Sequence, residues 1–122
     1  MTNDEARMTN DPRGEFDLEE RTAVFGEKVI AFAKRIPLNP VTTSIISQLV
    51  RAATSIGANY CEADDADSKK DFMFKIGICR REAKETKHWL RMVVAAEQQL
   101  REEARLLWQE AKELNLIFGK IR

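Results

Sequence analysis

Apolar residues recur at three- and four-residue spacing along most of this chain, and they form four separate stripes. The first carries Leu18, Phe25, Val29, Phe32 and Ile36. Asp17 precedes it as an N-cap, with Glu20 three residues on as the carboxylate form of a capping box, and Pro37 stops it. Asn39 and Pro40 then read as a cap and a first helical residue. The second stripe carries Ile45, Leu49, Ala52, Ile56, Tyr60 and Ala63. Gly57 inside it costs about 1 kcal/mol relative to Ala, which the close approach of another helix would explain.

Asp64-Asp65-Ala66-Asp67 ends the second helix, and Ser68 with Asp71 opens the third as another capping box. The third stripe is Phe72, Ile76, Cys79, Ala83, Thr86, Leu90 and Val94. The fourth is a heptad series: Leu100, Ala104, Leu107, Ala111, Leu114, Phe118 and Ile121. No Gly or Pro separates these two. One uninterrupted helix from Ser68 to Ile121 would run about 80 Å at ~1.5 Å per residue, so a turn is expected at Ala96–Gln99, where polar residues break the stripe.

Four amphipathic helices with short connections predict an all-α, antiparallel up-down-up-down four-helix bundle over residues 17–122. The polar stretch 1–16, with its Asp11-Pro12-Arg13-Gly14 turn signal, is expected to be a disordered tail. The competing architecture is a three-helix protein whose long third helix forms an intermolecular coiled coil.

Composition narrows the class. Five Gly and three Pro in 122 residues favour an all-helical chain. No apolar run approaches the roughly 20 residues that span a bilayer, and residues 1–14 lack a signal peptide's apolar centre. A cytoplasmic protein with no membrane partner is expected. Cys61 and Cys79 lie inside helical patterns without a CxxC, so reduced, mostly buried thiols are expected. The net charge is +0, but residues 1–67 hold 7 Lys+Arg against 12 Asp+Glu, a net of −5, and residues 68–122 hold 13 against 8, a net of +5. Assembly could exploit that division.

Candidate chemistry is sparse. Arg51, Ser55, Asn59 and Glu62 share one edge of the second helix; Glu82, Glu85 and Trp89 share one edge of the third. Polar groups beside a core stripe need partners, so the two edges are expected to meet as a structural network, with Arg51 on Glu82 or Glu85 and Asn59 bonded across the hairpin or to its loop. Arg80, Lys84, Lys87 and Arg91 form a basic stripe on the third helix, with Arg81 and His88 nearby. Such a stripe could track phosphates or could be a solvated face. Phe74, Trp89 and Trp108 lie off the main stripes and are candidates for an oligomer interface.

The lone His88 has no oriented nucleophile, and Glu82 with Glu85 has no apolar pocket to raise a carboxyl pKa. The acidic run Glu62 to Asp67 lacks the Gly and final Glu of a calcium loop, and no Glu-x-x-His pair suggests a di-iron bundle. Catalytic residues, metals, cofactors and a small-molecule substrate are therefore not expected.

Arg51-x3-Ser55-Ile56-x2-Asn59-x2-Glu62, followed by Gly77-Ile78-x3-Glu82-Ala83-x-Glu85-Thr86-x2-Trp89-Leu90, resembles the four-helix-bundle proteins encoded in intervening sequences of bacterial 23S ribosomal RNA genes. Wider relatives are the accessory variability proteins of diversity-generating retroelements. The resemblance spans about Asp17 to Ile121, with Glu62-Ala63 where many members have Glu-Gly. It implies an antiparallel bundle, a ring-like homopentamer and no known enzymatic activity. The retroelement relatives are basic and bind nucleic acid and a reverse transcriptase, so RNA or a reverse transcriptase are the partners it suggests beside the chain itself. The two functions left open are a non-catalytic oligomeric scaffold and a nucleic-acid-binding accessory protein using the basic face of the third helix.

Overall fold

The computed structural model describes residues 17–122. The tail expected over 1–16 lies outside the described residues. Helix α1 runs Leu18–Ala33, and Asp17 Oδ1 caps it by accepting from the Glu19 N–H at 3.0 Å. A tight turn carries on beyond Ala33, with Arg35 N–H on Phe32 O and Ile36 N–H on Ala33 O. That turn keeps Ile36 in the core after the helix has ended.

Helix α2 runs Thr42–Asp64 and starts later than the Pro40 signal suggests. Asn39 is still the anchor: its Oδ1 accepts from the N–H groups of Val41 and Thr42 at 2.9 and 3.0 Å. Pro40 occupies the lead-in turn. Helix α3 runs Lys69–Ala96, with Ser68 Oγ accepting from Asp71 N–H at 3.1 Å. A single residue, Glu97, breaks the helix at φ −141° and ψ 83°. A 3₁₀ turn at Gln98–Leu100 leads into α4, Arg101–Lys120. The long-helix alternative is excluded by this break.

Cross-helix contacts fix the direction of each neighbour. Gly57 lies against Thr22 and Gly26 against Ala53, so α2 runs back along α1. Glu62 pairs with Lys75 and Arg51 with Glu82, which sets α3 against α2. Asn115 bonds to Arg80 and Trp108 meets Lys87, so α4 returns along α3. Arg21 reaches Glu110 while Arg35 reaches Glu103, and the bundle closes.

The core holds Phe25, Val29, Phe32, Leu49, Ile56, Ile76, Leu90, Leu114 and Phe118, each at most 2 % exposed. Two residues differ from the sequence pattern. Val93 is fully buried, and Val94 is half-buried beside it against the core. Cys61 is exposed while Cys79 is buried, which corrects the expectation of two buried thiols.

The fourth seam, between α1 and α4, is the loosest. It is bridged by ion pairs over two cavities of about 400 and 310 Å³ that share Phe25, Lys28 and Glu110.

Candidate functional site

The polar edge between α2 and α3 divides into three parts instead of one network. The first centres on Arg51. Its guanidinium donates to Gln48 Oε1 at 3.1 Å, to both Glu82 oxygens at 3.3 and 3.4 Å, and to Glu85. Glu85 also accepts from the Trp89 indole N–H at 2.9 Å. The second is local to α2: Asn59 Nδ2 donates to the Ser55 carbonyl at 2.9 Å and to Ser55 Oγ at 3.1 Å. Asn59 therefore does not cross to α3, because a short amide four residues on reaches its own helix first. The third is Glu62, which accepts from Lys75 Nζ at 2.5 Å. The first and third brace α2 against α3 and the second stays within α2.

The basic residues of α3 also divide. Arg80, Lys87 and Arg91 face α4: the Arg80 side chain lies beside Gly119 while its carbonyl accepts from Asn115 at 2.8 Å, Lys87 Nζ lies 5.3 Å from the Trp108 ring centroid, and Arg91 shares a cavity wall with Trp108. Lys84 is exposed one turn from Arg80 and Lys87 on the same stripe. Arg81 folds back beside Gly77, and His88 makes an edge contact with Trp89 at 5.0 Å between centroids, so these two stand off the seam.

Helix α4 adds Arg101, Arg105 and Lys112 to the same surface, which the sequence pattern of α3 alone could not include. Their signal was the i, i+4, i+7, i+11 spacing of Arg101, Arg105, Trp108 and Lys112.

The three off-stripe aromatics have different surroundings. Phe74 is 63 % exposed. Trp89 and Trp108 are half-buried and pack against the core, which removes them as freely exposed apolar surface. Leu106, at 63 %, and Leu116, at 50 %, are exposed apolar residues of α4 outside its heptad stripe.

Ionisation at the thiols is unfavourable. Burial pushes the Cys79 thiol up to about 12, and its Sγ–H lies 3.5 Å from the Ile56 carbonyl. Partial desolvation, with Glu19, Asp64 and Glu62 behind it, also raises Cys61. A protonated thiol is a poor nucleophile and metal ligand. Among the described residues, no group of three or more His, Cys, Asp or Glu is placed to hold a metal ion. No helix among them is long and apolar enough to cross a membrane.

The sequence model of the 23S rRNA-intervening sequence protein family matches residues 15–120. A similar solved structure is a Bacteroides thetaiotaomicron protein of unknown function from the S23 ribosomal protein family. It is 28% identical, with a TM-score of 0.73, over 84% of this chain and 94% of that one. No curated protein matches the chain.

Proposed function

This chain belongs to the 23S rRNA-intervening sequence protein family, and we propose that it works as a non-catalytic cytoplasmic scaffold that assembles with copies of itself. The observation that carries this reading is the placement of charge. The α1–α2 flank presents Glu19, Glu20 and Glu27 around a cavity of about 490 Å³ whose walls include Gly26 and Gly57. The α3–α4 flank presents Arg80, Lys87, Arg91, Arg101 and Arg105. Unlike surfaces on one chain favour head-to-tail contacts, and such contacts close into rings. Exposed Phe74 and Leu106 add apolar area for burial. The pentameric count comes from the family resemblance. A role without chemistry is supported by the use of the polar side chains as inter-helix braces and by the high thiol pKa values.

Light scattering in moderate salt tests assembly. The expected mass is near five times 14.0 kDa, falling as salt screens the opposed flanks. A sharp monomer at micromolar concentration would overturn the scaffold. A dimer would keep self-association and remove the ring.

A second reading is favoured by a specific feature: Arg80, Lys84, Lys87 and Arg91 form no ion pair with any described residue, whereas Arg21, Arg35, Arg51 and Lys75 each hold a carboxylate on a neighbouring helix. In that reading the basic surface of α3 engages nucleic acid.

A further inference from the structure

We propose that the seam between α3 and α4 binds single-stranded nucleic acid, with Trp108 as the platform for a base and the cations on the two rims as phosphate contacts. This rests on the reading that the basic α3 surface engages nucleic acid, and it adds a location and a strand class.

Lys87 and Arg91 line the α3 rim, with the Arg80 side chain farther along it against Gly119, and Arg101, Arg105 and Lys112 line the α4 rim. Only Arg105 has an ion pair among the described residues. It is a 3.3 Å contact with Glu102 on its own helix, and both side chains are largely in water. Glu97, the other carboxylate at this end, accepts only from the neutral Gln99 amide, at 2.7 Å, and pairs with no cation among the described residues. Arg91, Arg101 and Arg105 thus outnumber the carboxylates beside them, and this end of the seam keeps an excess of positive charge. Arg80 and Arg91 are eleven residues apart, a rise of about 16 Å, enough to follow the backbone of a few nucleotides.

Trp108 supplies what a charged stripe alone lacks. The ammonium groups of Lys87 and Lys112 lie 5.3 and 5.7 Å from its ring centroid. The exposed Lys112 and the half-buried Lys87 thus both reach the ring by flexible side-chain ends. A base can take the place of one ammonium, which then swings to a phosphate. The indole N–H has no acceptor among the described residues, whereas the Trp89 N–H is held by Glu85 at 2.9 Å. Beside the ring, a cavity of about 550 Å³ is bounded by Leu90, Val94, Ala104 and the three guanidinium groups of Arg91, Arg101 and Arg105. An apolar wall with a cationic rim fits a flat base attached to an anionic backbone. A duplex keeps its bases stacked inside and cannot present one to the indole. An acidic peptide would satisfy the cations and leave the ring unused.

The test is fluorescence anisotropy with a labelled single-stranded oligouridylate, a duplex of equal length and a polyglutamate competitor. The single strand should bind more tightly than the duplex, with affinity falling linearly in log salt. Arg91→Glu with Arg101→Glu should weaken binding at least about tenfold, because two phosphate contacts become repulsive. Trp108→Leu should weaken it by about tenfold without altering the salt slope, and Trp108→Phe should retain part of it. Lys70→Glu, at the far end of α3, should change little. In a Trp89→Phe background, the remaining indole fluorescence should be quenched by the single strand.

Absence of any RNA binding at low salt would overturn both this site and the reading beneath it. Equal binding of single strand and duplex, indifferent to Trp108, would overturn the site and leave that reading standing. Polyglutamate displacing RNA from wild type and the Trp108 variants with equal potency would assign the seam to an acidic protein partner, and would also overturn the site.

Discussion

A Cβ added to Gly57 would stand 3.3 Å from the Thr22 hydroxyl oxygen, closer than side chains ordinarily sit. Thr22 cannot easily turn away. It is 1 % exposed, and its hydroxyl donates to the Leu18 carbonyl at 2.7 Å. Gly57 is thus the place where α1 comes close to α2. Gly26, on the other side of the same contact, is different: its Cβ would meet Thr54 at 3.7 Å, an ordinary distance. Gly26→Ala should therefore stabilise the fold by up to about 1 kcal/mol through helix propensity. Gly57→Ala should gain nothing, and Gly57→Val should cost about 2 kcal/mol through overpacking. Thermal melts of the three variants check the order. A Gly57→Val protein as stable as wild type would remove the close contact.

The ion pairs should not be equal. The Arg21 side chain is 16% exposed, and its guanidinium makes a two-pronged contact with Glu110 at 2.7 and 2.9 Å, with Glu113 at 3.0 Å. The hydrogen bond to Glu110 leads the effects that hold the Arg21 pKa above its ordinary value. Arg51, at 47% exposed, is screened by water although it meets two carboxylates. Arg21→Met should cost about 1–2 kcal/mol, because it leaves the half-buried Glu110, 31% exposed, without its cation, while Glu113, at 51%, stays solvated and adds little. Arg51→Met should cost at most about 1 kcal/mol. Urea midpoints in the reverse order would contradict this ranking.

The hairpin cap gives a cleaner case. Ser68 Oγ satisfies the Asp71 N–H at the start of α3, and both residues are exposed. Ser68→Ala should lower stability by about 1 kcal/mol, and Ser68→Asp should restore it. Equal melting of Ser68→Ala and wild type would show the cap to be inert.

Helix existence and the cap residues Asp17, Asn39 and Ser68 followed from local rules, because period and capping act within a few residues. The α3–α4 turn was harder. Glu97 turns the chain at a negative φ, which any L-residue tolerates, so no Gly or Pro was required to announce it. Asn59 is a structural polar group as its position predicts, but its partner is Ser55 on its own helix, nearer than anything on α3. The α1–α4 braces and the two-helix basic seam depend on the relative register of helices distant in sequence. A stripe on α3 cannot reveal that Arg101, Arg105 and Trp108 share its surface.

The two cysteines should report the fold through pH. A thiol-exchange reagent near pH 8 should titrate about one thiol per native chain, Cys61, and two after denaturation. Cys79 is buried, with its thiol pushed up to about 12 from 9.0. The unfolded state then loses the Cys79 proton before the native state does. Stability from this group is fully present below about pH 9 and is lost as pH rises towards about 12, by at most ~1.4 kcal/mol per pH unit. Tyr60, whose phenol burial also raises, should add to the same alkaline slope. Cys79→Ala should start less stable, by about 1 kcal/mol for the lost sulfur packing, and should show a shallower fall between pH 9 and 11. Chemical unfolding of both proteins across that range measures the difference. Parallel slopes would show that Cys79 ionises as readily in the native state as in the unfolded chain.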